Sequence, residues 1–236
     1  MLQTTRAVAL RTFRHGDNST VLKAYTERFG ARTYLARTSK RGGVRPSHIR
    51  PLDRLELVVT EDGEREMHAI REVRLWKPYV GIPQEPARGL VLLFAQEVFY
   101  RTLREESPDA PLFHFVLDSL EAIDTGEHLA QLPLLLLVRL ARHLGFLPEP
   151  PLPREDRFDL REGQFFTGPP PHGLCMEPPQ ALALANLLQA EAEGSVLTAA
   201  PGLRKVLLDD LLTYFSLHVE GFGQLRSPGV LHELLR

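Results

Sequence analysis

An α+β chain is predicted: a five-stranded β-barrel at the N-terminal end, followed by an all-helical domain that carries a long Pro-rich irregular insertion. Two observations predict it. Through residue 78 the apolar residues fall in short runs rich in β-formers and separated by turn residues. After Trp76-Lys-Pro78 the hydrophobic period changes from two to about 3.6, the mark of amphipathic helices. The 236 residues, 43% apolar and 25% charged, suffice for one large core or two modest ones and exclude collagenous, low-complexity and coiled-coil chains. The domain boundaries that follow are 1–78 and 79–236, with the irregular insertion at 148–179.

The barrel strands follow one another closely. Arg6 to Phe13 and Thr20 to Thr26 flank the turn composition His15-Gly-Asp-Asn-Ser19, and Phe29-Gly30 ends the second strand. Arg32 to Arg37 makes a third, and Leu52 to Thr60 and Glu66 to Leu75 supply the last two around the turn at Glu61-Asp-Gly63. Between the third and fourth lies Thr38-Ser-Lys-Arg-Gly-Gly-Val-Arg-Pro-Ser47, whose Gly pair, Pro46 and like charges predict an exposed loop at a barrel mouth or edge.

Helices account for most of the rest. Pro86 to Glu105 sets Leu90, Leu93, Phe94, Val98 and Leu103 mostly along one side, and Pro111 to Ile123 does the same with Phe113, Val116, Leu117 and Leu120. Glu127 to Leu144 is nearly all Leu at its centre, which predicts the buried middle of a bundle capped by Gly145. From Pro148 to Pro179 periodicity disappears among prolines and glycines, with a short hairpin expected around Phe158 to Phe165. Helices resume at Pro179 to Glu193 and Pro201 to Val219, and a short one is expected after Ser227.

The net charge of -2 conceals an asymmetry. Residues 1–78 hold 16 Lys+Arg against 9 Asp+Glu, and Arg28 to Leu52 holds cations with no carboxylate. Such a stretch suits a polyanion, although a solvated basic face carries the same signature. The longest apolar run, Leu132 to Val138, is far short of the roughly 18 residues a bilayer span needs. No secretory signal opens the chain and a lone Cys175 makes no internal disulfide, so a reducing cytoplasmic setting is expected.

Common catalytic constellations fail. There is no G-x-x-x-x-G-K-[ST] for a nucleoside triphosphate, no G-x-G-x-x-G after a strand, and no G-x-S-x-G elbow. The acidic groups Glu61-Asp-Gly-Glu64 and Asp209-Asp210 read as a turn and as a helix surface, not as a two-metal nuclease site. His172-Gly-Leu-Cys175 has the spacing of half a zinc site, and no second close pair completes it, so neither metal nor cofactor is expected.

Nucleic-acid binding survives. Arg outnumbers Lys thirteen to three in the first 78 residues, and its planar fork pairs with phosphate and stacks on bases. Tyr25, Tyr34 and Phe13 lie on the same strands as possible stacking partners, although aromatics at strand spacing also suit a core.

Three segments, Thr5-Arg-Ala-Val-Ala-Leu-Arg-Thr12, His15-Gly-Asp-Asn-Ser19 and Ala24-Tyr-Thr-Glu-Arg-Phe-Gly30, resemble in order and spacing the N-terminal region of the bacterial RecO family of DNA repair proteins. Ile49-Arg-Pro-Leu52, Pro111-Leu-Phe-His-Phe115, His143-Leu-Gly-Phe-Leu-Pro148 and Phe158-Asp-Leu-Arg-Glu-Gly-Gln-Phe165 extend the resemblance over most of the chain. It implies an OB-fold barrel followed by a helical domain. It also implies a protein that is not an enzyme, binds single- and double-stranded DNA, anneals complementary strands, and acts with RecR, and often RecF, to let RecA replace single-strand-binding protein. On that fold the cations implied for DNA are Arg11, Arg14, Arg32, Arg37, Lys40, Arg41, Arg45 and Arg50. The acidic C-terminal tail of single-strand-binding protein is assigned to a groove flanked by Arg139 or Arg142. Many members carry four cysteines after the equivalent of Pro148 and bind zinc; here the region offers Arg154, Phe158, Phe165 and only Cys175, so a zinc-lacking member is expected, with Phe158, Phe165 and Phe166 packing the segment. Competing readings are an RNA-binding OB protein of translation or RNA processing and a protein adaptor that binds no nucleic acid.

Overall fold

In the computed structural model, residues 2–15, 19–37, 48–61, 67–195, 200–229 and 231 are described. They divide into two compact units, one made of residues 1–84 and 98–124, the other of 85–97 and 125–236.

The first unit contains five strands, β1 (Leu2–Arg14), β2 (Ser19–Thr26), β3 (Gly30–Arg37), β4 (Arg54–Thr60) and β5 (His68–Leu75). They close in the order β1-β2-β3-β5-β4, with β3 and β5 the parallel pair, which is the connectivity of the OB barrel. Small side chains and aliphatics fill the interior: Ala7, Ala9, Leu22, Ala24, Leu55, Leu57, Val59 and Val73, with Tyr34 among them. A bulge at Leu10 shifts the β1–β2 register between Ala9 and Arg11. Before it the inward positions are odd-numbered; beyond it Arg11 and Phe13 turn outward.

Two helices contribute to this unit, α1 (Pro86–Thr102) through residues 98–102 and α2 (Ala110–Thr125) through 110–124. Asp109 caps α2, its Oδ1 accepting from Leu112 N at 2.8 Å. Tyr25 of β2 packs against Phe113 of α2 at 6.1 Å between ring centroids. The buried stripe of α1 is Val91, Phe94, Ala95, Val98 and Phe99. Leu93, expected on that side, is 48% exposed, because the stripe runs one position away from the Leu90/Leu93 register.

In the second unit a 3-10 turn (Leu129–Gln131) precedes α3 (Leu132–His143), so the leucine-rich helix starts later than the sequence suggested. Pro133 sits in its first turn, where a missing N–H costs nothing. Gly145 ends it at φ +83, with Gly145 N donating to Arg142 O and Phe146 N to Ala141 O, a Schellman cap. Helices α4 (Pro178–Glu193) and α5 (Pro201–His218) pack with α3. Of the short helix expected after Ser227, residues 228, 229 and 231 are helical and the remainder lies outside the described residues.

The segment expected to be an irregular insertion is more ordered than that. It holds β6 (Arg157–Asp159), β7 (Gln164–Phe166) and β8 (Cys175–Met176) in one antiparallel sheet ordered β7-β6-β8. Its prolines fall before, between and after these strands, where no ladder N–H is needed. The expected hairpin and aromatic packing are present: Phe158 is fully buried, 4.9 Å from Phe165 and 5.7 Å from Tyr214.

Candidate nucleic-acid interface

Once the bulge has turned Arg11 outward, the register sets Arg11 of β1 opposite Lys23 of β2, and Lys23 opposite Thr33 of β3. The next outward row is Phe13, Val21 and Leu35. The Arg11 guanidinium lies 4.7 Å from the Phe13 ring centroid and 5.1 Å from that of Tyr100, and Lys23 Nζ lies 5.7 Å from Tyr100. Two cations thus share one aromatic ring, an arrangement stabilised by the ring quadrupole.

Beside this row lies a cleft of about 290 Å³, lined among others by Leu10, Lys23, Arg32, Tyr100, Leu103 and Arg104. Its wall exists because residues 104–107 approach the start of β3, with Ala31 N donating to Glu105 O at 2.8 Å. Only glycine fits at position 30: its φ is +66, and a Cβ there would lie 2.3 Å from Ser107 O and 2.5 Å from Glu105 O. Lys23, Arg32 and Arg104 outnumber Glu106 in the lining, so the cleft favours anions.

The expected site residues part company here. Arg11 is exposed on the outward row, Arg14 is exposed at the end of β1, and Arg50 is exposed just ahead of β4, its backbone N donating to Asp53 Oδ2 at 2.7 Å. Arg32 occupies an inward register position and meets two carboxylates, Glu61 at 3.7 Å and Glu106 at 3.4 Å, so most of its charge is matched internally. Arg37 closes β3 opposite Ser19, and nothing is described of its side chain. Lys40, Arg41 and Arg45 lie outside the described residues.

Tyr25 and Tyr34 belong to the interior at 1% and 0% exposure, which leaves Phe13 as the exposed aromatic of the three expected to stack. Burial and the nearby Glu61 push the Tyr34 phenol far above its usual range, and its hydroxyl donates to Glu61 Oε1 at 2.9 Å. Glu61, read from sequence as part of a turn, therefore belongs to a buried network that also includes His68 at 3.4 Å.

Lys23, Tyr100 and Arg104 escaped the sequence reading. Lys23 could have been found from its register with Arg11, whereas Tyr100 of α1 and Arg104 just after it come from far along the chain. In the second unit, Arg139 and Arg142 of α3 are exposed and both pair with Glu191 of α4. Among the described residues no helix is long and apolar enough to cross a membrane.

The closed five-stranded barrel in the order β1-β2-β3-β5-β4 defines an OB-fold protein, and it carries an outward row of cations and aromatics beside the cleft. Residues 1–79 match the family model "Recombination protein O N terminal", and residues 83–150 match "Recombination protein O C terminal". The chain is 28% identical over 239 residues to the DNA repair protein RecO of Azobacteroides pseudotrichonymphae, and 29% identical over 240 residues to that of Christiangramia forsetii. It is also 29% identical over 247 residues to that of Porphyromonas gingivalis, and each alignment covers 99% of both chains. The chain belongs to the RecO family of DNA repair proteins.

Proposed function

We propose that this protein is a recombination mediator that holds single- and double-stranded DNA on the outer face of β1, β2 and β3 and anneals complementary strands. Acting with RecR, and with RecF where it is present, it helps RecA replace single-strand-binding protein on DNA. The observation that carries the reading is the Arg11/Lys23 pair on Tyr100 at the lip of a cationic cleft.

The mechanism is electrostatic. Each phosphate matched by Arg or Lys releases condensed counterions, and neutralising two strands at one surface lowers the repulsion that keeps complements apart. Exposed Phe13 and half-buried Tyr100 supply flat faces on which unpaired bases stack without regard to sequence. Arg14, Arg50, Arg37, Lys40, Arg41 and Arg45 extend the same charge along β1, ahead of β4 and through the β3–β4 connection. Arg32 supports the face as a positioning residue, braced between Glu61 and Glu106. No bond is made or broken, so the protein needs no cofactor for this role, and a cytoplasmic, nucleoid-associated location follows from its substrate.

The acidic tail of single-strand-binding protein docks near Arg139 and Arg142, where one shared partner, Glu191, leaves a net positive charge. Annealing of two complementary oligonucleotides, followed by fluorescence transfer, tests the proposal. The protein is expected to accelerate pairing without ATP and to lose that effect in Arg11→Glu/Lys23→Glu. Unchanged pairing rates with the native protein contradict it, and acceleration confined to RNA strands favours the RNA-binding alternative.

A further inference from the structure

We propose that a second cleft, beside the β6–β7 turn, docks an arginine-bearing peptide segment of a partner protein. The cleft measures about 560 Å³ and lies wholly within the second unit. One lip is the chain from Phe146 to Glu155 as it leaves α3, and the other is the β6–β7 turn at Glu162 and Gly163. Helix α5 supplies the floor through Tyr214 and His218.

The floor is aromatic, and its polar atoms are already engaged. The Tyr214 hydroxyl donates to Phe146 O at 2.6 Å. His218 Nε2 lies 3.0 Å from Leu160 O, a carbonyl that can only accept, so this nitrogen donates. The Phe146 and His218 rings stack at 5.5 Å and 12°, and both are half-buried, which leaves ring surface open to the cleft. Gly163 lets the turn close onto this floor: its φ is +69, and a Cβ there would lie 2.8 Å from the Tyr214 hydroxyl.

The rim is acidic. Glu149, Glu155 and Glu162 line the cleft, and among the described residues no lysine or arginine does. Glu155 Oε2 accepts from Leu152 N at 2.7 Å, which fixes that carboxylate at the lip. Glu149 and Glu162 are exposed and meet no cation among the described residues. Like charges around an apolar floor focus a negative potential that a cation relieves. Guanidinium suits this combination better than ammonium, because its planar fork pairs with carboxylate while its face stacks on a ring. Leu152, 68% exposed at the lip, offers an aliphatic neighbour of that arginine an apolar contact. Residues 79–236 hold 12 Lys+Arg against 21 Asp+Glu, so the wider charge also draws a basic segment. The sign of the occupant separates this cleft from Arg139 and Arg142, which suit an acidic tail.

The test titrates the full chain, without DNA, into a fluorescein-labelled pentapeptide that alternates leucine and arginine, beside a counterpart with glutamate in place of arginine. The expected result is saturable anisotropy with the arginine peptide, weakening as salt rises from about 50 to 200 mM, and none with the glutamate peptide. Glu149→Gln/Glu162→Gln should weaken binding about tenfold. Neutralising two exposed carboxylates away from the cleft, Glu72→Gln/Glu127→Gln, should leave affinity unchanged. All four substituted residues are exposed, and circular dichroism checks that the variants are folded. No saturable binding, equal binding of the two peptides, or a loss in Glu149→Gln/Glu162→Gln no larger than in the control pair overturns the proposal.

Discussion

Arg54 donates from Nη1 to Glu121 Oε2 at 2.7 Å although its own side chain is only 2% exposed. Its Nη2 lies 3.6 Å from Asp124 Oδ2, its Nε donates to Lys77 O, and its guanidinium sits 4.3 Å from the Tyr79 ring centroid. A buried charge is tolerable only when matched in this way, and removing one partner of such a pair costs about 3–5 kcal/mol. Arg54→Ala is therefore expected to lower the free energy of unfolding, measured by urea denaturation, by about that amount, and a change under about 1 kcal/mol would contradict the assignment.

The same cluster sets an acid limit. Burial alone would raise the Asp124 carboxyl, but the N–H groups of Ile82, Val80 and Gly81, with Arg54, outweigh it and hold it below the usual carboxylate range. Lys77 and Arg54 lower Glu121 likewise. A carboxylate depressed in the folded state stabilises above its unfolded pKa of about 4 and loses that contribution as pH falls through the folded value. Asp124→Asn should destabilise strongly at neutral pH and progressively less toward pH ~3. A pH-independent difference in midpoint would refute this.

Asp210 has the opposite sign. Burial and the neighbouring Asp209 push its carboxyl up to about 6, and its Oδ2 has no hydrogen-bond partner among the described residues. Ionising it costs more in the folded chain, so stability is lost as pH rises from about 4 through that value. Asp210→Asn should gain about 1–2 kcal/mol at pH 7.5, a figure discounted for partial exposure, and gain nothing below pH ~4. Equal stability of the two proteins at pH 7.5 would argue against it.

Gly30→Ala joins fold to site. The left-handed backbone alone costs about 1–3 kcal/mol, and the added Cβ must displace the carbonyls of Glu105 and Ser107, which shape the cleft wall. Reduced stability together with weaker single-strand binding is expected. Full DNA affinity in this variant would detach the cleft from function.

The strands were legible because each carries its own local signal: β-formers between turn residues, repeated five times. What periodicity could not convey was long-range. The bulge at Leu10, which decides that Arg11 faces outward, shows only in pairing with β2. Arg32 carries the charge of a ligand-binding residue, yet its inward register commits it to Glu61 and Glu106. Strand β8 is two residues long, too short for any pattern, and exists only through its partner β6. Tyr100 on α1 and Arg104 just past its end sit in a stretch whose composition gives no hint of the barrel they approach.

The most direct test is the anisotropy of a labelled single-stranded DNA titrated with the native protein and with Arg11→Glu/Lys23→Glu from about 50 to 200 mM salt. The native protein should show a steep negative slope of log affinity against log salt, and the double variant a slope shallower by about 1.4, the share of two phosphate contacts on a single strand. Equal slopes and affinities would place DNA elsewhere on the protein, and no binding at low salt would remove the direct role altogether.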